Sequence, residues 1–276
     1  MQIPFLQLII GFTLAVLISW LSLKFKVLTL GGAFASTVLG TVVFGLGGLS
    51  WAIVLLGFFI SSSGLSKVLK RRKQEVSEKF SKGATRDAAQ VIANGGISGF
   101  FVLMHLLFPQ AAWPWLAFAG AFAAVNADTW GTELGVLSSK PPISLISGKK
   151  VEKGTSGGIS FAGTIAALSG SFLIAVLAVN FWPKSIPNPM ESNWWLPMIG
   201  ISLAGLLGSL IDSLLGATIQ VMYYCPSCKK ETEQYPLHRC GSNTVYLHGW
   251  KWMNNDWVNG FCAFSGGLIM IISVVR

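Results

Sequence analysis

The chain has 276 residues, of which 52% are hydrophobic and only 11% charged, with a formal net charge of +9. So apolar a composition excludes an ordinary water-soluble domain, a disordered chain and a collagen-like fibre, and four cysteines are too few for a secreted disulfide scaffold. The positive charge calls for a membrane explanation before a nucleic-acid one, and no nucleic-acid partner is expected.

Apolar runs of roughly 17–25 residues, the length that crosses a bilayer core, follow one another along the chain. They fall near residues 4–23, 27–46, 50–65, 88–108, 113–137, 157–182, 195–220 and 257–275. The expected fold is therefore all-α, a polytopic integral membrane protein with about eight transmembrane helices forming one transmembrane domain over residues 1–276. The first run lacks the basic start and small-residue cleavage site of a signal peptide and reads as a mature helix. The second and third runs, rich in glycine and serine, carry the weakest signal.

With eight spans, successive joints alternate between the two sides of the membrane. One side then holds 18 of the 20 lysines and arginines, and the other only Lys184 and Arg276. This bias marks the basic side as cytoplasmic and places both termini on the opposite side. Three cytoplasmic segments result: a basic loop at 66–87, a glycine- and lysine-rich loop at 138–156, and a cysteine- and histidine-bearing stretch at 221–256. The run from Lys67 to Lys73 reads as a topogenic flank with no chemistry before it reads as a site.

Three of the eleven acidic residues, Asp128, Glu133 and Asp212, lie inside apolar spans, where an ionised side chain costs at least ~2.5–3.5 kcal/mol. All three fall near the cytoplasmic ends of their helices. Asp87 and Asp256 immediately precede helices that start on that side, so five carboxylates from four helices reach one depth. Asn94, Asn255 and Gln90 lie among them. Oxygen donors in such a cluster suit a hard divalent cation, and Mg²⁺ bound there keeps sites for water or phosphate. Pairing of the same acids with loop lysines and arginines is the structural alternative.

The segment Gly148-Lys-Lys-Val-Glu-Lys-Gly-Thr-Ser-Gly-Gly158 leads into the sixth span at its cytoplasmic end. A helix N-terminus offers unpaired N–H groups, Thr155 and Ser156 can cap it or bind an anion, and Gly154, Gly157 and Gly158 allow close approach. Lys149 and Lys153 would add charge for phosphate, whereas a mobile loop before an ordinary helix start accounts for the same residues. The order of a Walker P-loop is absent. Arg86, Gln90 and Asn94, four apart at the start of the fourth span, share a face with Lys82 and Asp87 nearby, a second place for phosphate or a polar helix end packed on a neighbour.

Cys225-Pro-Ser-Cys228 followed by His238-Arg-Cys240 supplies soft ligands for one tetrahedral Zn²⁺, with reduced structural cysteines as the alternative. Cys262 and His105 read as packing residues.

Four motifs together, Asn126-Ala-Asp-Thr-Trp-Gly-Thr-Glu-Leu-Gly135, Gly154-Thr-Ser-Gly-Gly158, Gly208-Ser-Leu-Ile-Asp-Ser-Leu-Leu-Gly-Ala-Thr218 and Asn254-Asn-Asp-Trp-Val-Asn259, resemble an integral membrane family, long filed as a domain of unknown function, that includes the plant phytyl-phosphate kinase. The likeness runs from the basic loop to the C-terminus. It implies a membrane phosphotransferase that makes phytyl diphosphate, or a related isoprenyl diphosphate, from the monophosphate and a nucleoside triphosphate. CTP is the donor that the resemblance favours, and phytol salvage for tocopherol biosynthesis is the implied setting. The membrane would be the cell membrane, or the thylakoid in a photosynthetic organism. The family's acidic motifs fall on Asp128, Glu133, Asp212 and Asp256, and its basic glycine motif on Lys153 to Gly158. The cysteine knuckle is absent from the plant enzyme's pattern, which leaves the lipid substrate open.

A phosphate acceptor is already an oxyanion, so such a site needs cations more than a general base. Asp128, Glu133, Asp212 and Asp256 would hold Mg²⁺. Lys149, Lys153 and the Gly154–Gly158 amides would hold one phosphate group, and Arg86 with Lys82 the other. The rival is a transporter or flippase for a phosphorylated lipid or small anion, in which the same groups bind without making a bond.

Overall fold

Backbone inside a bilayer must satisfy its own hydrogen bonds, and each apolar run accordingly becomes one long helix. The computed structural model describes residues 5–69, 82–83, 85–188 and 191–274. Over these the chain forms α1 (Phe5–Lys24), α2 (Leu30–Gly40), α3 (Leu49–Leu69), α4 (Ala88–Leu107), α5 (Trp113–Gly135), α6 (Phe161–Asn180), α7 (Trp195–Thr218) and α8 (Asn255–Val274). At a rise of about 1.5 Å per residue, the full-length helices span roughly 30–36 Å, enough to cross a bilayer core. The weak second run is irregular. α2 passes into a π-helix over Thr41–Gly47, and Gly48, at φ 81°, turns the chain into α3.

Seven of these segments, with α2 and its π-helical continuation counted as one, are long and apolar enough to cross a membrane by length and composition alone. The eighth, α5, sits at the centre. Its residues are buried without a break from Pro114 to Ala127, against α3, α4, α6, α7 and α8. A helix shielded from lipid on every side needs no lipophilic surface. It can be built from alanine and glycine, which let neighbouring backbones approach where no hydrophobic force draws helices together. Trp51, Trp115, Phe118 and Phe122 fill the far half of the core. The surrounding helices present Phe12, Phe34, Phe100, Phe172 and Leu203 outward, as lipid-facing surfaces do. Trp194 and Trp195 are exposed at one end and Trp250, Trp252 and Trp257 at the other, where aromatic belts form.

The joints α1–α2, α3–α4, α5–α6 and α7–α8 meet at one end, and Phe5 and Val274 lie at the other. Cross-loop hydrogen bonds tie the first end together: Arg86 N–H donates to the Val27 carbonyl at 2.9 Å, and Thr29 N–H to the Arg86 carbonyl at 2.9 Å. Residues 70–81 and 84 of the expected basic loop, including Lys70, Arg71, Arg72 and Lys73, lie outside the described residues. Two small sheets add to the helical plan where the chain leaves the bundle. β1 (Ile143–Ser144) pairs antiparallel with β2 (Gly158–Ile159), and β3 (Met222–Cys225) lies between β4 (Lys230–Thr232) and β5 (Val245–His248).

α5 and α8 cross closely. A Cβ placed on Gly120 would lie 2.6 Å from the Gly266 carbonyl oxygen, and one on Gly266 2.7 Å from Ala124 Cβ, whereas one on Gly260 meets nothing within 4 Å. Gly266→Ala is therefore expected to destabilise the protein by about 1–3 kcal/mol, as overpacking does. Gly260→Ala should leave stability unchanged or slightly raised. Thermal unfolding of the detergent-solubilised variants checks this, and equal melting temperatures would mean that the crossing tolerates expansion.

Candidate functional site

Beyond Ala127, α5 emerges from its sheath and turns polar. Asp128, Gly131, Thr132 and Gly135 recur at helical spacing and face a cavity of about 770 Å³ at the loop end of the bundle. From α7, Ser209, Asp212 and Ser213 face the same space. The Asp128 and Asp212 carboxyl groups lie within hydrogen-bonding distance of each other. Asp212 Oδ2 is buried with no hydrogen-bond partner among the described residues. Two carboxylates so close repel unless a proton or a cation lies between them. Glu133 Oε1 accepts a hydrogen bond from Ser66 Oγ at 2.8 Å. The paired oxygens of Asp128 and Asp212 suit a hard cation such as Mg²⁺, because the two carboxyl groups meet in the cavity and the Asp212 oxygen is otherwise unsatisfied, and Glu133 lines the same cavity.

Arg86 stands beside this acidic wall. Its Nη2 donates to Ser62 Oγ at 3.0 Å, its guanidinium lies 5.3 Å from the centre of the Phe58 ring, and Glu133 is near enough to attract it. Gln90 and Asn94 line the cavity below it, as their shared face implies. Gln90 is also engaged locally. Asp87 caps α4, its Oδ1 accepting from the Gln90 N–H at 2.9 Å, and the Gln90 side-chain oxygen accepts from the Asp87 N–H at 3.1 Å. This is a capping box.

Asp256 corrects one expectation. It does not line the cavity, and its carboxylate instead bonds Lys82, which also bridges to Asp87 at 2.8 Å. Lys82 was expected on a phosphate and lies at the cavity edge, but its ammonium is taken up by two carboxylates joining the start of α4 to the start of α8. Asn254 Oδ1 accepts from the Asp256 and Trp257 N–H groups there, and Asn255 and Asn259 face the cavity.

The glycine segment also differs from expectation. Thr155 and Ser156 do not cap α6. That helix starts at Phe161, and Ser160 is its cap, with Oγ accepting from the Gly163 N–H at 3.1 Å. Gly154, Thr155, Ser156, Gly157 and Gly158 instead line the cavity with Lys153, and Ser156 and Gly157 pack on the last turns of α7. Gly157 has φ 75°, and a Cβ there would lie 2.7 Å from the Ser213 carbonyl oxygen, so only glycine brings the loop this near to Asp212. Lys149 lies in the exposed turn of the hairpin, away from the cavity.

The last loop brings residues that the sequence pattern did not single out. Glu233 and Arg239 line the cavity, and Gln220 Nε2 donates to Glu233 Oε1 at 2.8 Å. Glu233 is near enough to Asp212 for their charges to interact. Their positions beside the Cys228 and His238 pattern were the available signal, since residues between metal-type ligands are held in place with them. Cys225, Cys228, His238 and Cys240 come together as their spacing implies. His105 and Cys262 are buried in the bundle.

Burial works against the Lys82 charge, but the bonds from Asp256 and Asp87 outweigh it and raise its pKa. Burial would likewise raise the Asp87 carboxyl, yet the Lys82 ammonium and the α4 amides hold it below its usual value. The lowered acid stabilises the fold above its unfolded pKa of about 4, and the raised base does so below about 10. Asp87→Asn is therefore expected to lower the melting temperature by the same amount at every pH from about 5 to about 9, and a penalty that varied across that range would place the titration elsewhere.

The profile of the integral membrane protein DUF92 family matches residues 13–267. The chain is 34% identical over 239 residues to Protein PGR of Arabidopsis thaliana, covering 80% of this chain and 82% of that protein. An uncharacterized membrane protein of Methanocaldococcus jannaschii is 29% identical over 217 residues, 78% of this chain and 83% of its own. Protein VTE6, chloroplastic, of Arabidopsis thaliana is 25% identical over 251 residues, 89% of this chain and 65% of its own. No solved structure matches the chain. A buried carboxylate wall at the end of an eight-helix bundle and a family profile that spans nearly the whole chain lead to one assignment: this protein belongs to the integral membrane protein DUF92 family.

Proposed function

We propose that the protein is a membrane lipid-phosphate kinase, transferring a phosphoryl group from a nucleoside triphosphate to an isoprenyl monophosphate. The observation that carries this reading is the single cavity in which Asp128, Asp212 and Glu133 face Arg86, Lys153 and the Gly154–Gly158 loop. Two anionic substrates must meet for such a reaction, so a site with both cation ligands and fixed positive charge suits it. No histidine or cysteine is among the described residues that line the cavity, in keeping with an acceptor that needs no strong base.

Asp128, Asp212 and Glu133 would hold Mg²⁺, which supplies charge neutralisation to the donor phosphates when bound. Lys153 and the loop amides hold one phosphate group, and Arg86, steadied by Ser62 and the Phe58 ring, directs its charge at the other. The acceptor's phosphate oxygen forms a bond to the γ-phosphorus as the bond from that phosphorus to the β–γ bridging oxygen breaks, and the nucleoside diphosphate leaves with the electron pair. Ala167, Leu206 and Leu210 continue the cavity as an apolar wall between α6 and α7. That wall suits an isoprenoid tail, each buried CH₂ contributing roughly 0.8 kcal/mol. The 18 basic residues assigned to the loop end favour a cytoplasmic opening, where nucleotides are available. Phytyl phosphate as acceptor and CTP as donor follow from the family resemblance of the four motifs.

Incubating purified protein with Mg²⁺, phytyl or geranylgeranyl phosphate and each labelled nucleoside triphosphate in turn should yield labelled lipid diphosphate with one preferred donor. Folded protein that labels no acceptor across a panel of lipid phosphates would support transport instead. Asp128→Asn and Asp212→Asn are each expected to lower turnover about 10²–10³-fold. Near-normal rates at saturating Mg²⁺ would rule out their role as cation ligands.

A further inference from the structure

We propose that Cys225, Cys228, His238 and Cys240 bind one structural Zn²⁺, and that this ion holds the loop carrying Glu233 and Arg239 against the cavity. None of the three thiols is in a disulfide. Cys225 Sγ lies 3.6 Å from Cys240 Sγ, Cys228 Sγ 3.6 Å from His238 Nδ1, and His238 Nδ1 3.3 Å from Cys240 Sγ. All four ligand atoms fall within 4.8 Å of one another. Zn–S and Zn–N bonds of about 2.3 and 2.0–2.1 Å at tetrahedral angles require ligand atoms roughly 3.5–3.8 Å apart, and the observed edges approach that spacing.

The backbone around the set has the form of two metal knuckles. Cys225 ends β3 and Cys228 lies in the turn to β4, with the N–H groups of Ser227 and Cys228 directed at the Cys225 sulfur. Lys229, at φ 53°, and Gly241, at φ 82°, follow the second ligand of each pair and reverse the chain there. Three thiolates and one imidazole favour zinc over a hard cation, and with four protein ligands no position is left open for chemistry. Cys225 and His238 are buried, Cys228 is half-buried and Cys240 exposed, so the ion would be covered on one side and reach the loop surface on the other.

The position of the knuckles gives them a further effect. Arg239 lies between the ligands His238 and Cys240, so ligation of its two neighbours fixes its backbone. Its N–H also donates to Gln234 Oε1 at 2.8 Å, and the Gln234 carbonyl accepts from Thr244 Oγ1 at 3.0 Å. Glu233 occupies the same return segment and is held by Gln220. Arg239 and Glu233 are positioning residues of the cavity wall: their contribution to transfer rests on the phosphotransfer reading, while the zinc site does not.

Full-length protein purified without chelator should contain one zinc per chain by elemental analysis, falling at least tenfold in a Cys228→Ser, Cys240→Ser double variant. Cobalt(II) substitution should give the thiolate charge-transfer and visible bands of a tetrahedral site. Removing the metal from the intact protein should speed proteolytic cutting within residues 226–248, and adding zinc should reverse it. Protein that is folded but carries no metal and takes none up would overturn the proposal, as would iron in its place. Arg239→Ala should keep its zinc and melting temperature yet raise KM for the nucleotide or lipid phosphate about tenfold, with Arg239→Lys restoring most of the loss. Unchanged KM values with zinc retained would refute the positioning role and leave the metal site standing.

Discussion

The removal of α5 from lipid is the constraint on which the rest of the structure depends. An ionised carboxylate in the hydrocarbon core costs at least ~2.5–3.5 kcal/mol, and α5 carries two of them near its end. Five other helices surround it, and they come close enough only because α5 and its neighbours are rich in glycine, alanine and serine. Hydrogen bonds then fix the register: Asn126, wholly buried, donates to the Gly170 carbonyl at 2.8 Å and accepts from Ser61 at 3.1 Å, joining α3, α5 and α6 at the depth where the cavity begins. The aromatic filling of the far half closes that side, so polar groups accumulate at one end alone.

At that end the structure sorts acids that look alike in the sequence. Asp87 and Asp256 share Lys82 and join two helix starts, with the second oxygen of Asp256 buried and without a hydrogen-bond partner among the described residues. Asp128 and Asp212 meet within hydrogen-bonding distance at the cavity wall, with one oxygen of Asp212 buried and unsatisfied. The first pair is neutralised by a lysine that joins two helix starts, and the second is the pair that, on the proposed function, binds the cation. A buried, half-satisfied carboxylate is costly in any helical membrane protein, which is why such groups mark binding sites.

The eight spans were legible because lipid imposes one rule on every segment that crosses it. The second and third runs carried the weakest signal; the third is a regular helix, and the second switches to π-helical turns before Gly48 where it packs on α1, which no hydropathy pattern encodes. The carboxylates at α5 and α7 were legible for the same reason, since their burial in apolar runs is anomalous. Asp256 was misplaced because sequence shows depth along a helix but not which neighbour an acid meets, and Lys82 is 174 residues away. The glycine segment looked like a helix N-terminus because it precedes one. The true cap, Ser160, is two residues later, and the glycines answer to the surface of α7, a partner that appears only in three dimensions. Glu233 and Arg239 escaped notice because a charged residue in a polar loop is ordinary until the loop folds over something.

Gln220 sits where two of these parts meet. Its side-chain oxygen accepts from Ser156 on the glycine loop at 3.1 Å, and its nitrogen donates to Glu233 on the last loop at 2.8 Å. One buried amide at the end of α7 thus couples two covers of the same chamber that arise 64 and 13 residues away from it in the chain. Each cover is held to the end of α7 by its own bond to that amide. The end of α7 therefore sets where both covers sit, and a shift of that helix end would carry the glycine loop and the last loop with it.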